Sequence, residues 1–293
     1  MMPDCLEGYI IEYNGPGDRI FFMVKGYEHP DDYYIAVPYR TARYRIEDPY
    51  EWLRGAAPWI LSRIDCMPRE VPLLPRASAS TCIDPARALE LRWSSLPAPA
   101  RRLLNTLDFE WAGLTGSWAL GVEGRQSDVD LLLYGPSVYE YVVEAYERGI
   151  LRPCGARGDR LSEQAMVLEA LYSVKLVEAC TGGLRVTLRI LRSLEPQPCR
   201  RRRPLGMVRG VVELVDVGES YLVPARYKAV LYSVEGVVPV ILETWRTRYQ
   251  ELPPGTYWLE GEAWVEDGAI IVSPDLGGRL APAAWSDSGR PQP

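Results

Sequence analysis

The 293-residue chain reads as an α+β protein of several parts. Three observations carry that reading. Apolar and polar residues alternate like paired strands at both ends of the chain. Helical spacing is confined to the middle. A strand–turn–helix–strand passage around residues 111–135 joins the two patterns. The length is about twice that of a typical ~150-residue domain. The boundaries fall at 1–83 (a β-meander, a helix and a proline-rich linker), 84–195 (a central α/β domain), 204–281 (a β domain of the small-barrel kind) and 282–293 (a frayed tail).

The meander begins with Gly8–Tyr13, turns through Asn14-Gly-Pro-Gly-Asp18, returns as Arg19–Val24, and resumes at Tyr33–Val37. Asp48-Pro49 opens a helix to about Ile64, bent near Pro58, because aspartate caps and proline suits the first helical position. Residues 68–81 hold three prolines and read as the linker. Helices follow from Asp84-Pro85 to Trp93 and from Pro99 to Leu107. Val138, Tyr141, Val142, Ala145 and Tyr146 mark a helix over 137–148, and Val167 to Val177 mark a longer one over 162–180. Gly182-Gly183 ends it, and Leu184–Leu191 alternates as a half-buried strand. Pro196, Pro198 and Arg200–Arg203 form the next boundary. From Leu205 to Val272 the period is again two, with Glu266-Asp267-Gly268 as a hairpin turn.

Composition excludes several functions. The net charge of -6 argues against a general coat for nucleic acid or anionic membrane. With a single histidine, His29, a histidine-based triad or a histidine-rich metal site is close to excluded. Of 33 basic residues only Lys25, Lys175 and Lys228 are lysines. Scarce asparagine and glutamine suit a hot habitat, but arginine in excess of lysine is not the usual hyperthermophile signal, and a GC-rich genome explains the arginine bias equally well. The six cysteines lack metal-knuckle spacing and read as free thiols in a reducing cytoplasm, hyperthermophiles being the setting where intracellular disulfides occur. No secretory leader and no apolar run of ~18 residues is seen, so neither export nor a membrane span is expected.

One segment carries chemistry: Gly116-Ser117, ten residues, then Asp128-Val129-Asp130 entering an apolar strand. Gly116 lets backbone approach a ligand, and Ser117 begins a helical turn whose hydroxyl and free N–H groups suit a phosphate. Aspartates at i and i+2 of a strand share a face and offer hard oxygen ligands for Mg²⁺. A cradle for phosphate beside a carboxylate pair is what metal-assisted nucleotidyl transfer needs.

Gly116-Ser117 with Asp128-x-Asp130 resembles the signature of the DNA polymerase β-like nucleotidyltransferase superfamily. Lys25-Gly-Tyr-Glu-His-Pro30, Ser127–Gly135 and the Gly261–Ser273 hairpin are similar to blocks of a group of archaeal predicted nucleotidyltransferases. The resemblance spans most of the chain. It implies a polymerase β-like core of mixed sheet and helices at 84–195. It further implies a nucleoside triphosphate substrate, ATP foremost, and Mg²⁺ or Mn²⁺ on Asp128 and Asp130. The resemblance does not supply the acceptor, which the sequence leaves open among a small molecule, RNA and a protein hydroxyl. The pattern departs in one place. The family's third carboxylate belongs on a later strand, and the polar face of Leu184–Leu191 offers Arg185, Thr187 and Arg189 instead. Glu178, Glu195, Glu213 and Asp216 are the acids that can substitute, and spacing selects none of them. Arg189 is the candidate for direct contact with the triphosphate. Without a third acid, the alternative is a catalytically degenerate nucleotide- or RNA-binding protein, or a purely structural one.

Other residues have plain readings. Arg200–Arg203 is a solvated linker or a weak RNA contact. The aromatics of the C-terminal β domain, among them Tyr221, Tyr227, Tyr257 and Trp264, are core or a base-stacking face. His29 is a turn residue, Gly121 and Gly124 shape the loop before Asp128, and Lys175 lies on an exposed helix face or reaches the triphosphate.

Overall fold

The computed structural model describes residues 4–14, 18–67, 69–124, 127–155, 172–275 and 277–283. The chain is mixed α+β and mostly sheet. It divides into two compact units, Met1–Val138 with Leu191–Arg201, and Tyr139–Ile190 with Arg202–Pro293.

In the first unit, β1 (Ile10–Asn14), β2 (Arg19–Val24) and β3 (Tyr33–Thr41) form the expected meander. Residues 15–17 of its first turn lie outside the described residues. Asp48 caps α1 (Pro49–Ala56), its Oδ1 accepting from the Glu51 N–H at 2.9 Å. The helix ends sooner than the spacing predicts. Pro58 lacks a donor and starts a 3-10 turn instead, which leads into β4 (Leu61–Arg63). The linker expected at 68–81 is mostly strand: β5 (Glu70–Pro75) and β6 (Ala79–Ile83), joined by a 3-10 turn. Burial of Val71, Leu73 and Leu74 outweighs the turn-forming composition there, and a strand tolerates proline where no ladder N–H is required. The sheet order is β4-β5-β3-β2-β1-β6. Its core holds Ile11, Phe22, Tyr34, Leu53 and Leu74.

Asp84 caps α2 (Pro85–Arg92), and α3 (Ala98–Leu104) follows. Next come β7 (Trp111–Thr115), α4 (Gly116–Leu120) and β8 (Val129–Tyr134), with β7 and β8 antiparallel and Thr115 opposite Asp130. The returning segment 191–201 is tied down at Tyr27. The Tyr27 hydroxyl accepts from the Arg192 N–H at 3.1 Å, and its carbonyl accepts from the Gln197 N–H at 2.8 Å.

The second unit holds the remainder of α5 (Val138–Glu147), then β9 (Arg152–Pro153), β10 (Glu178–Thr181) and β11 (Leu184–Leu191), the three strands antiparallel in sequence. Most of the helix expected over 162–180 lies outside the described residues. Its end is corrected: Glu178–Thr181 is strand, because it forms a hairpin with β11 through Gly182-Gly183. Then follow β12 (Arg203–Glu219), β13 (Leu222–Val223), β14 (Ala225–Ser233), β15 (Gly236–Thr244), β16 (Gly255–Glu266), β17 (Ala269–Ser273) and β18 (Arg279–Pro282). The order β12-β14-β15-β17-β16 closes through a β16–β12 ladder into a five-stranded barrel, with β18 added outside β16. β15 and β17 are parallel, and the other pairs of the ring are antiparallel. Closure removes open edges, and alternate residues such as Val212, Tyr227, Leu231, Leu242 and Leu259 fill the interior. Tyr227, Tyr257 and Trp264 are core, as the plain reading of the aromatics has it. The tail beyond 283 lies outside the described residues. Among the described residues no helix is long and apolar enough to cross a membrane.

The expectation of free thiols is overturned. Cys5–Cys82, Cys66–Cys199 and Cys154–Cys180 are disulfides, and no cysteine is free. Two of them close long loops, with separations of 77 and 133 residues. A cross-link of that span limits the unfolded ensemble and is worth roughly 3–5 kcal/mol. Non-reducing melts should therefore show a higher Tm than melts in dithiothreitol. Cys66→Ser should account for part of the difference, and equal Tm values in both buffers would refute the assignment.

His29 is in the β2–β3 turn, as expected, but it is buried. Its Nδ1 accepts from the Ile35 N–H at 3.1 Å, which fixes the neutral ring. Burial, reinforced by the Arg76 charge, lowers its pKa to about 4. The folded value lies below the unfolded value of 6.5, so this contribution to stability is complete above pH 6.5. It is lost as the pH falls toward 4, by roughly 3 kcal/mol in all. The single imidazole gives one clean NMR titration: it should stay neutral at pH 5.5, and a midpoint near 6.5 would contradict the burial.

Candidate functional site

The site forms where β7 passes into α4. Thr115 occupies the N-cap position of α4 in extended conformation, yet its side chain does not cap the helix. Its Oγ1 donates to the Gly8 carbonyl at 2.5 Å. Gly8 is itself left-handed and sits directly on the Leu132 side chain. The turn is thus fastened to the N-terminal segment and, through it, to β8.

Gly116 has φ +68°, and a Cβ built there would fall on the Asp130 carboxylate. Only glycine meets both conditions without strain. The residue therefore sets the distance between the start of α4 and the acid pair. Ser117 is half-buried beside it. α4 is a single turn and ends at left-handed Gly121, whose N–H bonds back to the Trp118 carbonyl. The Trp118 Nε1–H is buried and has no acceptor among the described residues.

Asp128 and Asp130 are half-buried, while Val129 and Leu131–Leu133 between and behind them are fully buried. The period of two aims both carboxylates to one face while the apolar residues anchor the strand. Tyr39 of β3 reports their position. Its phenol pKa is raised by burial and then by the charges of Asp130 and Asp128, while Arg45 and Arg40 pull it down. A tight hairpin from Tyr39 to Ile46 places the Arg45 guanidinium over the Tyr39 ring at 5.7 Å. The first unit therefore assembles Gly116, Ser117, Asp128 and Asp130 with Tyr39 and Arg45, which the sequence reading passed over. The run Arg40-Thr-Ala-Arg43-Tyr-Arg45 was their only local signal. Nothing in it announces the acids far along the chain.

Arg189 is half-buried on β11 of the second unit, on the face that carries Arg185 and Thr187. Of the four acids that can substitute for a third carboxylate, Glu178 is distinguished. It lies opposite Thr187 across the β10–β11 ladder and is 8% exposed. Glu195 is exposed. Glu213 accepts from the Tyr232 hydroxyl, and exposed Asp216 pairs with Lys228. Among the described residues no three His, Cys, Asp or Glu side chains gather to hold a metal. Asp128 and Asp130 thus make a two-carboxylate set, hard oxygen donors that fit one Mg²⁺ or Mn²⁺ whose remaining ligands are phosphate and water.

Two further expectations change. Lys175 is fully buried in the second unit, with its Nζ donating to the Thr247 carbonyl, so it neither lies on an exposed face nor reaches a triphosphate. The arginine run is not wholly solvated. Arg202 forms a buried ion pair with Glu266 at 2.5 Å and packs over Trp264.

A scan against protein-family models, a search of curated proteins and a search of solved structures each found no match.

Gly116→Ala should cost about 1–3 kcal/mol, from backbone strain and the displaced Asp130 carboxylate. Gly124→Ala, where a Cβ meets nothing closer than 3.9 Å, should be neutral in the same denaturant melts. Equal stability of the two variants would refute the close approach.

Proposed function

We propose that the chain is a metal-dependent nucleotidyltransferase: a hydroxyl acceptor attacks the α-phosphorus of a triphosphate, ATP foremost, gains the nucleoside monophosphate, and pyrophosphate leaves. One observation carries the reading: left-handed Gly116 pressed against Asp130, with Asp128 on the same strand face. That arrangement puts free N–H groups and the Ser117 hydroxyl beside a carboxylate pair, as the polymerase β-like core requires. Asp128 and Asp130 would hold Mg²⁺. When bound, the ion supplies charge neutralisation on the triphosphate and lowers the pKa of the attacking hydroxyl. The Ser117 hydroxyl and the N–H groups at the start of α4 bind phosphate oxygens, and the buried Trp118 Nε1–H is a donor awaiting an acceptor. Arg45, above Tyr39, adds positive charge beside the acids.

A second reading is a catalytically degenerate nucleotide- or RNA-binding protein. It is favoured by the polar face of β11, which carries Arg185, Thr187 and Arg189 and no acid.

Calorimetric titration with ATP, CTP, GTP and UTP should show Mg²⁺-dependent binding, lost in Asp128→Ala/Asp130→Ala by at least tenfold. Incubation with α-labelled triphosphate then separates the readings. Label transferred to acceptor supports the enzyme, and binding with no transfer supports the degenerate protein. Absence of binding by the wild-type chain to all four triphosphates would sink both.

A further inference from the structure

The first unit contains a cavity lined by none of the acid-pair residues. It measures about 290 Å³ and is lined by Tyr13, Tyr33, Trp59, Ser62, Pro75 and Ser78, with leucines of β5 beneath. It lies where the chain turns from β5 through the 3-10 turn into β6.

Three features specify an occupant. First, the walls are aromatic and displayed. Trp59 is 71% exposed and Tyr33 38% exposed, although tryptophan is ordinarily well buried. Pro58, at the start of the 3-10 turn, fixes the backbone that presents Trp59. Second, the polar atoms are donors without use. The side chains of Tyr13, Tyr33, Trp59, Ser62 and Ser78 make no hydrogen bond among the described residues. Third, among the described residues no charged side chain lines the cavity. A nucleic acid strand stacks bases on such rings but also needs cations along its phosphates. A polyproline II segment needs the opposite set. Its rings pack flat on aromatic faces, its backbone carbonyls have no internal partners and seek donors, and it carries no required charge. The cavity's volume lies just below the ~300–1,000 Å³ of drug-sized sites, which suits a segment of a few residues.

We propose that this cavity docks a short polyproline II segment of a partner protein. Trp59 and Tyr33 grip the proline rings, and the indole N–H and serine hydroxyls take the exposed carbonyls. The inference is independent of the nucleotidyltransferase reading.

The test uses the full chain and an acetylated decaproline peptide, with a glycine-serine peptide of equal length and a decauridylate as comparison probes. Calorimetry or NMR titration should show saturable decaproline binding and none of the glycine-serine peptide. Trp59→Ala should weaken it at least tenfold, and Trp59→Phe less. Trp93→Ala, at the end of α2, should leave it unchanged. Because Trp59 is exposed, unchanged melting of Trp59→Ala separates loss of the site from loss of the fold. No saturable decaproline binding, or binding indifferent to Trp59→Ala, would overturn the proposal. Decauridylate binding that depends on Trp59 would reassign the cavity to base stacking.

Discussion

The Thr115 hydroxyl donates to the Gly8 carbonyl instead of capping its own helix, and the next residue turns left-handed against the Asp130 carboxylate. The geometry of the candidate site depends on that pair of choices. A side chain at 116 would push the acid away from the start of α4. A capping Thr115 would release the N-terminal segment from β8. The N-terminal segment is held in turn by buried Glu7, which accepts from the Gly26 N–H at 2.6 Å and pairs with Lys25 at 3.6 Å. The Lys25–Pro30 block is therefore a structural clamp in the first unit. Lys25 neutralises Glu7, and His29 receives the Ile35 N–H.

Much of the charge of this acidic chain is paired locally. Many of its arginines are spent locally: Arg202 on Glu266, Arg226 on Glu243, Arg92 on Glu123. A buried acid with one cationic partner is costly to expose and contributes little to the long-range field. Arg45 is different. It is exposed, and it stands over a tyrosine that feels both site aspartates. Tyr39 thus feels the negative charge of both aspartates and the positive charge of Arg45 and Arg40.

The second unit is closed by other means. The barrel ring leaves no open edge, and Tyr227 bonds across its base, donating to the Tyr249 carbonyl and accepting from the Leu252 N–H. Glu251 accepts from the N–H groups of Leu176 and Val177 and from the Tyr139 hydroxyl. Burial raises its pKa while those hydrogen bonds pull it down, and burial makes the loss of any one of them costly. Tyr139 stacks on Tyr221 at 4.0 Å, which binds α5 to the barrel within the unit.

Local chemistry alone was enough to read the α+β class, the meander, the caps at Asp48 and Asp84, the Gly116-Ser117…Asp128-x-Asp130 constellation and the Glu266–Gly268 hairpin. Each is set by propensity, periodicity or a capping side chain within a few residues. Long-range pairing settled the rest. Strand partners turned the proline-rich stretch at 70–83 into β5 and β6, and a hairpin with β11 made strand of the expected end of a helix. Disulfide pairing joined cysteines whose separations carry no local signal. Tyr39, on a strand of another sheet, came to feel the charges of both aspartates, and the ring of five strands closed through a β12–β16 ladder. A sequence window sees neighbours along the chain. These contacts form between residues brought together only when distant apolar surfaces leave water, so no local pattern encodes them.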